Sequence, residues 1–285
     1  MPPTTDRRAP ESPRREVRME FLTSPQVARY LQRSDLAILP AGCVEMHGPH
    51  VPLGCDTIHA YAMSVILAEL WDCLVLPPIP YTYPGASANW PGTISPRPAA
   101  SIAYLKEICL AAIAAGFKRL VVLATHGPLS FMLSSVIREI HLETGHIVLH
   151  VAPVNLMPED LMKESLGYTR GEDILVLAAA KVLGLPADLV PAMDWDSPDR
   201  SFPFTSQSDL RKAECQWPWT FSEPWQHQPV RSCVRPEHAA KAVDVMRQAA
   251  ARQYADVPKA FEQYRQDMAQ LYADPPWALD KVAEM

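Results

Sequence analysis

Short apolar runs alternate with longer segments of helical periodicity through the middle of the chain, separated by polar, glycine- and proline-bearing stretches. LAILPA (36–41), CLVLPPIP (73–80), RLVVLA (119–124) and IVLHVAP (147–153) have the length and near-continuous apolarity of strands buried on both faces. Between them, TIHAYAMSVILAEL (57–70), AASIAYLKEICLAAIAAG (99–116) and FMLSSVIREIHLETG (131–145) are long and periodic enough for helices. Ser24-Pro25 predicts the N-cap and first-turn proline of a helix through Leu31. PEHAAKAVDVMRQAAARQYA (236–255) predicts a late helix and 257–272 a last one. Strand, loop and helix in repetition predict an α/β fold, with a mostly parallel sheet covered on both faces.

The alternation fades after residue 185. Residues 194–230 carry four of the seven tryptophans with little periodicity, and they predict an irregular Trp-rich loop, a candidate lid. The Pro- and Arg-rich start, 1–18, has no apolar centre and reads as a disordered lead-in instead of a secretory signal. A single domain is expected over 19–256, followed by a partly helical tail over 257–285.

Composition narrows the partners. The net charge of −6 argues against a nucleic-acid surface, which needs a basic face to neutralise phosphates. No stretch reaches the roughly 20 consecutive apolar residues of a membrane span. Six cysteines without a C-x-x-C pair point to reduced thiols in a cytoplasmic protein, not to a disulfide frame.

The chemistry concentrates in LPAGCVEMHGPHVPLGCDTIH (39–59), which holds three of the nine histidines together with Glu45 and Asp56. In an extended segment Glu45 and His47, two apart, project to the same side and can reach two adjacent ions or share one. Asp56 can present a carboxylate that bridges two ions, and His126, after the third strand, adds a nitrogen ligand. Both His-bearing loops, 42–56 and 125–130, leave the C-terminal ends of strands, where open α/β sheets bind ligands. Such mixed oxygen and nitrogen ligation without sulfur suits Zn, Mn or Fe. Ions sharing a carboxylate acidify a bound water and supply a hydroxide nucleophile.

GCVEMHGPHVPLGCDT resembles the signature of the creatininase (creatinine amidohydrolase) family, Gly-Ser-x-Glu-Gln-His-Gly-Pro-His-Leu-Pro-Leu-x-x-Asp-Thr. NWPGTIS (89–95) is similar to the family's Phe-Pro-Gly-Thr segment, and VVLATHG (121–127) to its strand-then-histidine segment. The resemblance implies a three-layer α/β/α sandwich and two divalent metals. Glu45 and His126 would hold one, His47 the other, and Asp56 would bridge them. It also implies hydrolysis of a small molecule's C–N bond, in a cyclic amide, formamide or amide-like group, and a homo-oligomer, often a hexamer. Members open creatinine, deformylate a formamidopyrimidine or trim a small redox peptide.

Departures from the family pattern shape the rest. After His126 the family commonly reads Gly-Gly-Asn, and some members place a metal-binding glutamate two residues on. Here that position is Pro128, which has no ligating side chain. The family's His-Ala-Gly-Glu-x-Glu-Thr-Ser is reduced to Thr169-Arg170-Gly171-Glu172-Asp173-Ile174. Glu172 is therefore the candidate second-site ligand, or the acid–base group that serves the leaving nitrogen beside His126. Arg170 is a candidate for a substrate carboxylate, and Trp90 and Ser130 complete the expected substrate contacts. His50 reads as structural or as hydrogen-bonding a ligand, His59 as packing, and Cys43 as a small buried residue where serine is usual. His141, His146, His150, His227 and His238 show no supporting pattern. The expected function is a metal-dependent amidohydrolase. Its rivals are a single-metal hydrolase or lyase-type ring-opening enzyme, and a non-catalytic ligand-binding relative.

Overall fold

The computed structural model describes residues 16–152, 162–163, 171–186, 188–198 and 204–283. Four parallel strands, β1 (Leu36–Ala41), β2 (Leu74–Val75), β3 (Arg119–Ala124) and β4 (Val148–Val151), form one sheet in the order β2-β1-β3-β4. Around them run α1 (Ser24–Leu31), α2 (Cys55–Trp71), α3 (Pro98–Ala114), α4 (Gly127–Thr144) and α5 (Glu172–Leu183). Later come α6 (Thr205–Lys212), α7 (Ala239–Tyr254), α8 (Val257–Ala273) and α9 (Leu279–Ala283).

Alternation along the strands divides the core into two layers. Leu36, Ile38, Val121 and Leu123 face Met63 and Leu67 of α2, Val176 and Leu177 of α5, and Val245 and Met246 of α7. Ala37, Leu39, Leu120 and Val122 face the opposite way, onto Leu105 and Ile113 of α3 and Leu133 and Ile140 of α4. Helices therefore cover both faces, and the expected three-layer α/β class is the observed one. Parallel strands need such crossovers, and a sheet buried on both sides reads as unbroken apolar runs.

The chain leaves β1 toward β2 on one side, then returns past β1 to place β3 on the other. The β1/β3 boundary is thus the topological switch point, where loops diverge and a crevice opens at the C-terminal ends. Ala41 and Ala124 are register partners, so the loops that follow them emerge side by side.

Three sequence-based boundaries are corrected. The second strand was expected over 73–80, but its ladder covers only Leu74–Val75, because Pro77 and Pro78 have no N–H to donate. Pairing resumes at Ile79, whose N–H donates to the Pro40 carbonyl while its own carbonyl accepts from Gly42. The helix expected at 131 begins at Gly127, with His126 as N-cap and Pro128 in the first turn, where a missing N–H costs nothing. The 194–230 segment is not wholly irregular, since it contains α6 and a 3-10 turn over Pro224–Gln226. Of the N-terminal lead-in, residues 1–15 lie outside the described residues. Val17 is buried, and its carbonyl accepts from Val75. Among the described residues no helix is long and apolar enough to cross a membrane.

Candidate metal centre

The loop after β1 is folded by its glycines and braced by its neighbours. A Cβ on Gly42 would lie 2.5 Å from the Thr57 nitrogen, so only glycine lets the end of β1 press against the first turn of α2. The Thr57 hydroxyl donates to the Cys43 carbonyl, and the Thr125 hydroxyl donates to the Asp56 carbonyl, tying both loops to that turn. The NWPGTIS segment braces the same loop. Thr93 accepts the Met46 N–H at 3.0 Å, and the Ile94 N–H donates to the Val44 carbonyl.

These constraints bring Glu45, His47, Asp56, His126 and Glu172 to one place. His126 Nδ1 is 2.9 Å from Glu45 Oε1 and 2.9 Å from Asp56 Oδ2. The other Asp56 oxygen lies 3.3 Å from His47 Nε2, which in turn is 3.9 Å from Glu172 Oε2. Glu45, His47, Asp56 and His126 are each 5% exposed or less, whereas the Glu172 side chain is 39% exposed. Ser87 donates to Glu45 Oε2 and fixes that carboxylate. Glu45, Asp56, His126 and Glu172 open onto a cavity of about 400 Å³, also lined by Pro128, Trp217, Trp219, Phe221 and His227, with His47 buried behind Asp56.

The remaining expectations fall as follows. Trp90 does not line this cavity; its indole donates to the Phe221 carbonyl and holds the Trp-rich segment in place. Ser130 sits in the first turn of α4, outside the lining, and its carbonyl accepts from Ser134. Arg170 lies outside the described residues. His50 is buried 3.6 Å from Asp173, behind the start of α5. His59 is buried in α2, where desolvation lowers its pKa to about 4. Two close groups escaped the sequence reading. Cys43 donates to Asp56 Oδ2 at 3.1 Å and lies 3.5 Å from His126 Nδ1. The His227 ring lies against that of His47, with centroids 4.4 Å apart and planes tilted by 35°. Its one sequence signal is its place in WQHQPV, inside the aromatic segment already marked as a candidate lid.

The donor set fits divalent cations. His47 Nδ1 bonds the Glu45 carbonyl at 3.0 Å, His126 Nε2 bonds the Tyr83 carbonyl at 3.0 Å, and His227 Nδ1 bonds the Met46 carbonyl. A carbonyl only accepts, so each of these nitrogens carries a proton and leaves the opposite nitrogen as the potential ligand atom, where a divalent ion would take the place of any second proton. His47 Nε2 and Glu172 Oε2 are buried atoms with no hydrogen-bond partner. Among the described residues no lysine or arginine pairs with Glu45 or Asp56, so the two buried carboxylates have only imidazoles for counter-charge.

That imbalance appears in the proton affinities. Burial alone lowers the pKa of His126, but Asp56 and Glu45 outweigh it and raise the imidazole to about 10. Burial likewise opposes ionisation of Asp56, yet His47 and His126 hold its carboxyl well below the usual range. Burial, then Asp56 and Glu45, push the Cys43 thiol well up, which keeps it from acting as a thiolate nucleophile. The pocket calls for positive charge, which a divalent ion on the same atoms would meet. Donor atoms of Cys43, Glu45, Asp56 and His126 all lie within 4.8 Å of one another, as do those of Glu45, His47 and His227.

Comparison with known proteins places this geometry. The sequence model for creatininase, creatinine amidohydrolase, matches residues 20–196. A 3-dehydro-scyllo-inosose hydrolase of Thermotoga maritima is 34% identical over 112 residues, 39% of this chain and 36% of that enzyme, so the likeness spans about a third of its length. A mycofactocin precursor peptide peptidase of Mycolicibacterium smegmatis is 25% identical over 191 residues, covering 55% of this chain and 77% of that enzyme. A crystal structure of creatinine amidohydrolase superposes with a TM-score of 0.62 at 22% identity, over 83% of this chain and 95% of that one. With its fold, its signature loop and a family match over most of the chain in agreement, this protein belongs to the creatininase family of hydrolases.

Proposed function

We propose that the protein is a metal-dependent hydrolase that cleaves a C–N bond of a small molecule, in a cyclic amide, a formamide or an amide-like group. The observation that carries this reading is the convergence of Glu45, Asp56, Glu172, His126 and His227 on one cavity, with His47 Nε2 buried 3.3 Å from Asp56. Glu45, Asp56 and His126 would hold one divalent ion, with Asp56 shared and His47 holding a second of the same class (Zn, Mn or Fe). When bound, such ions supply Lewis acidity toward a carbonyl oxygen and an acidified water.

The chain's own groups do the rest. Ser87 fixes the Glu45 carboxylate, and the backbone carbonyls of Glu45 and Tyr83 hold His47 and His126 in a single tautomer. Glu172 is the exposed member of the set, facing the cavity from the first turn of α5, where its buried Oε2 would complete the second ion beside His47 and its other oxygen would pass a proton to the leaving atom. Trp217, Trp219 and Phe221 line the cavity, and the segment is fixed by bonds from Phe221 and Thr220 to the Ala86 carbonyl. That aromatic wall limits water and selects a small, flat substrate. Arg170 remains proposed for a substrate carboxylate, and a homo-oligomer is proposed on family analogy.

A second reading rests on the relative named for 3-dehydro-scyllo-inosose, a cyclic polyhydroxy ketone without nitrogen. In such a compound the inosose ketone and the further carbonyl of the dehydro position are both present. Hydroxide adding to one would break a carbon–carbon bond, with the other accepting the electron pair as an enolate that is then protonated. One assay separates the readings. Chelator-stripped protein is reloaded with Zn, Mn or Fe and offered cyclic amides, formamides, short peptides and dehydro-inososes. Chelator-sensitive hydrolysis of a nitrogen compound supports the first reading, and turnover of the ketones alone supports the second. Hydrolysis that survives complete metal removal refutes both.

A further inference from the structure

We infer that His227 is a ligand of the second divalent ion, joining His47, Asp56 and Glu172. The inference rests on the metal-dependent reading above. It adds a residue that lies past residue 196, where the family match ends.

Four observations carry it. First, the tautomer is set: Nδ1 bonds the Met46 carbonyl, so Nε2 presents its lone pair, the same device that orients His47 and His126. Second, the spacing suits a single ion. Ligand atoms on one tetrahedral zinc lie roughly 3.3–3.5 Å apart. Here His47 Nε2 is 3.3 Å from Asp56 Oδ1 and 3.9 Å from Glu172 Oε2, and Glu172 Oε2 is 3.9 Å from His227 Nε2. Donor atoms of His47 and His227 also lie within 4.8 Å of one another, together with one of Glu45. Third, His47 Nε2 and Glu172 Oε2, the two atoms nearest such an ion, are buried without hydrogen-bond partners. The Pro128 ring, lining the same cavity, offers them nothing.

Fourth, the segment bearing His227 is built into the site. Gly48 has φ +72°, and a Cβ there would lie 2.5 Å from the Gln228 carbonyl oxygen, so the signature loop and the His227 segment touch at a point only glycine permits. Gln228 Oε1 accepts the Glu172 N–H at 3.0 Å, linking the next residue to the neighbouring ligand. Phe221 stacks on the His227 ring with centroids 4.8 Å apart and planes 18° from parallel. The imidazole is clamped between His47 and Phe221, with Nε2 3.9 Å from Glu172 Oε2.

The test is equilibrium binding of Co(II) and Zn(II) to the full chain, followed by metal analysis after dialysis and by the visible spectrum of cobalt. His227→Gln is compared with His227→Glu, which has the same length but a ligating carboxylate. The wild type is expected to bind about two ions. His227→Gln should keep the first ion and weaken the second by at least about tenfold, and His227→Glu should retain it. X-ray absorption of the zinc-loaded wild type, which needs no variant, should count about 1.5 imidazoles per zinc, against about 1.0 if His227 stays out. Two ions bound with unchanged affinity by His227→Gln, equal loss in both variants, or the lower imidazole count overturns the assignment. A wild type that binds no divalent ion overturns the metal-dependent reading along with it, so the two failures are distinguishable.

Discussion

The two halves of the candidate centre are built differently. On the inner side, Glu45 and Asp56 meet His126 at 2.9 Å, all buried, one loop away from register partners in adjacent parallel strands. On the outer side His47, Glu172 and His227 come from a loop, the start of α5 and the Trp-rich segment, at separations of 3.9 Å, with Glu172 39% exposed. Strand ladders fix the inner loops because every backbone bond of β1 and β3 enforces the same register. The outer groups have no shared ladder, and they retain unpartnered atoms and access to the cavity. A rigid inner half suits holding an ion, and an open outer half suits meeting a substrate.

Asp56 spans both halves, with one oxygen on His47 and the other on His126, and Glu45 lies within reach of both at a longer distance from His47. Asp56→Ala should therefore abolish both ions and reduce hydrolysis about a thousandfold or more, measured by metal content and turnover together. A variant that keeps either ion at full affinity would show that the halves are independent. Gly42→Ala disturbs the inner half without removing a ligand. Its methyl must displace the backbone at Thr57, and thermal melts should register a loss of about 1–3 kcal/mol. An unchanged melting temperature would mean that the β1–α2 approach is loose.

A further effect, confined to acid pH, contrasts two buried histidines of opposite environment. Carboxylates raise His126, whereas desolvation lowers His59 to about 4 from an ordinary value near 6.5. Between these two values the unfolded chain binds the His59 proton more tightly than the folded one. Its contribution to stability is thus complete above pH 6.5 and is lost as pH falls toward 4. Chemical denaturation should show an acid-side loss in that window, on the order of 3 kcal/mol at most, that is diminished in His59→Gln. An identical pH profile in the variant would remove His59 from the account.

Legibility in the sequence follows the same division. β1 and β3 were readable because unbroken six-residue apolar runs have little other use, and α1 because Pro25 marks its first turn, although Thr23, boxed with Gln26, is the N-cap in place of the expected Ser24. Pro128 misled in one respect, since a proline after a strand looks like a loop residue until the helix is seen to begin beneath it. Pro77-Pro78 shortened β2 for the opposite reason, because a paired strand does need the missing N–H groups. The closeness of Glu45, His47 and Asp56 could be read from one short window, and that of His126 from its strand. No spacing or periodicity links His227 to them, because its approach depends on the left-handed turn at Gly48 and on Gln228 reaching Glu172.

The most direct test of the central claim is anomalous diffraction from crystals grown with manganese or zinc, at wavelengths on either side of the metal edge. Two peaks per chain sharing Asp56 are expected, one against Glu45 and His126 and the other against His47 and Glu172. No peak at these residues, in protein shown by metal analysis to be loaded, would contradict it.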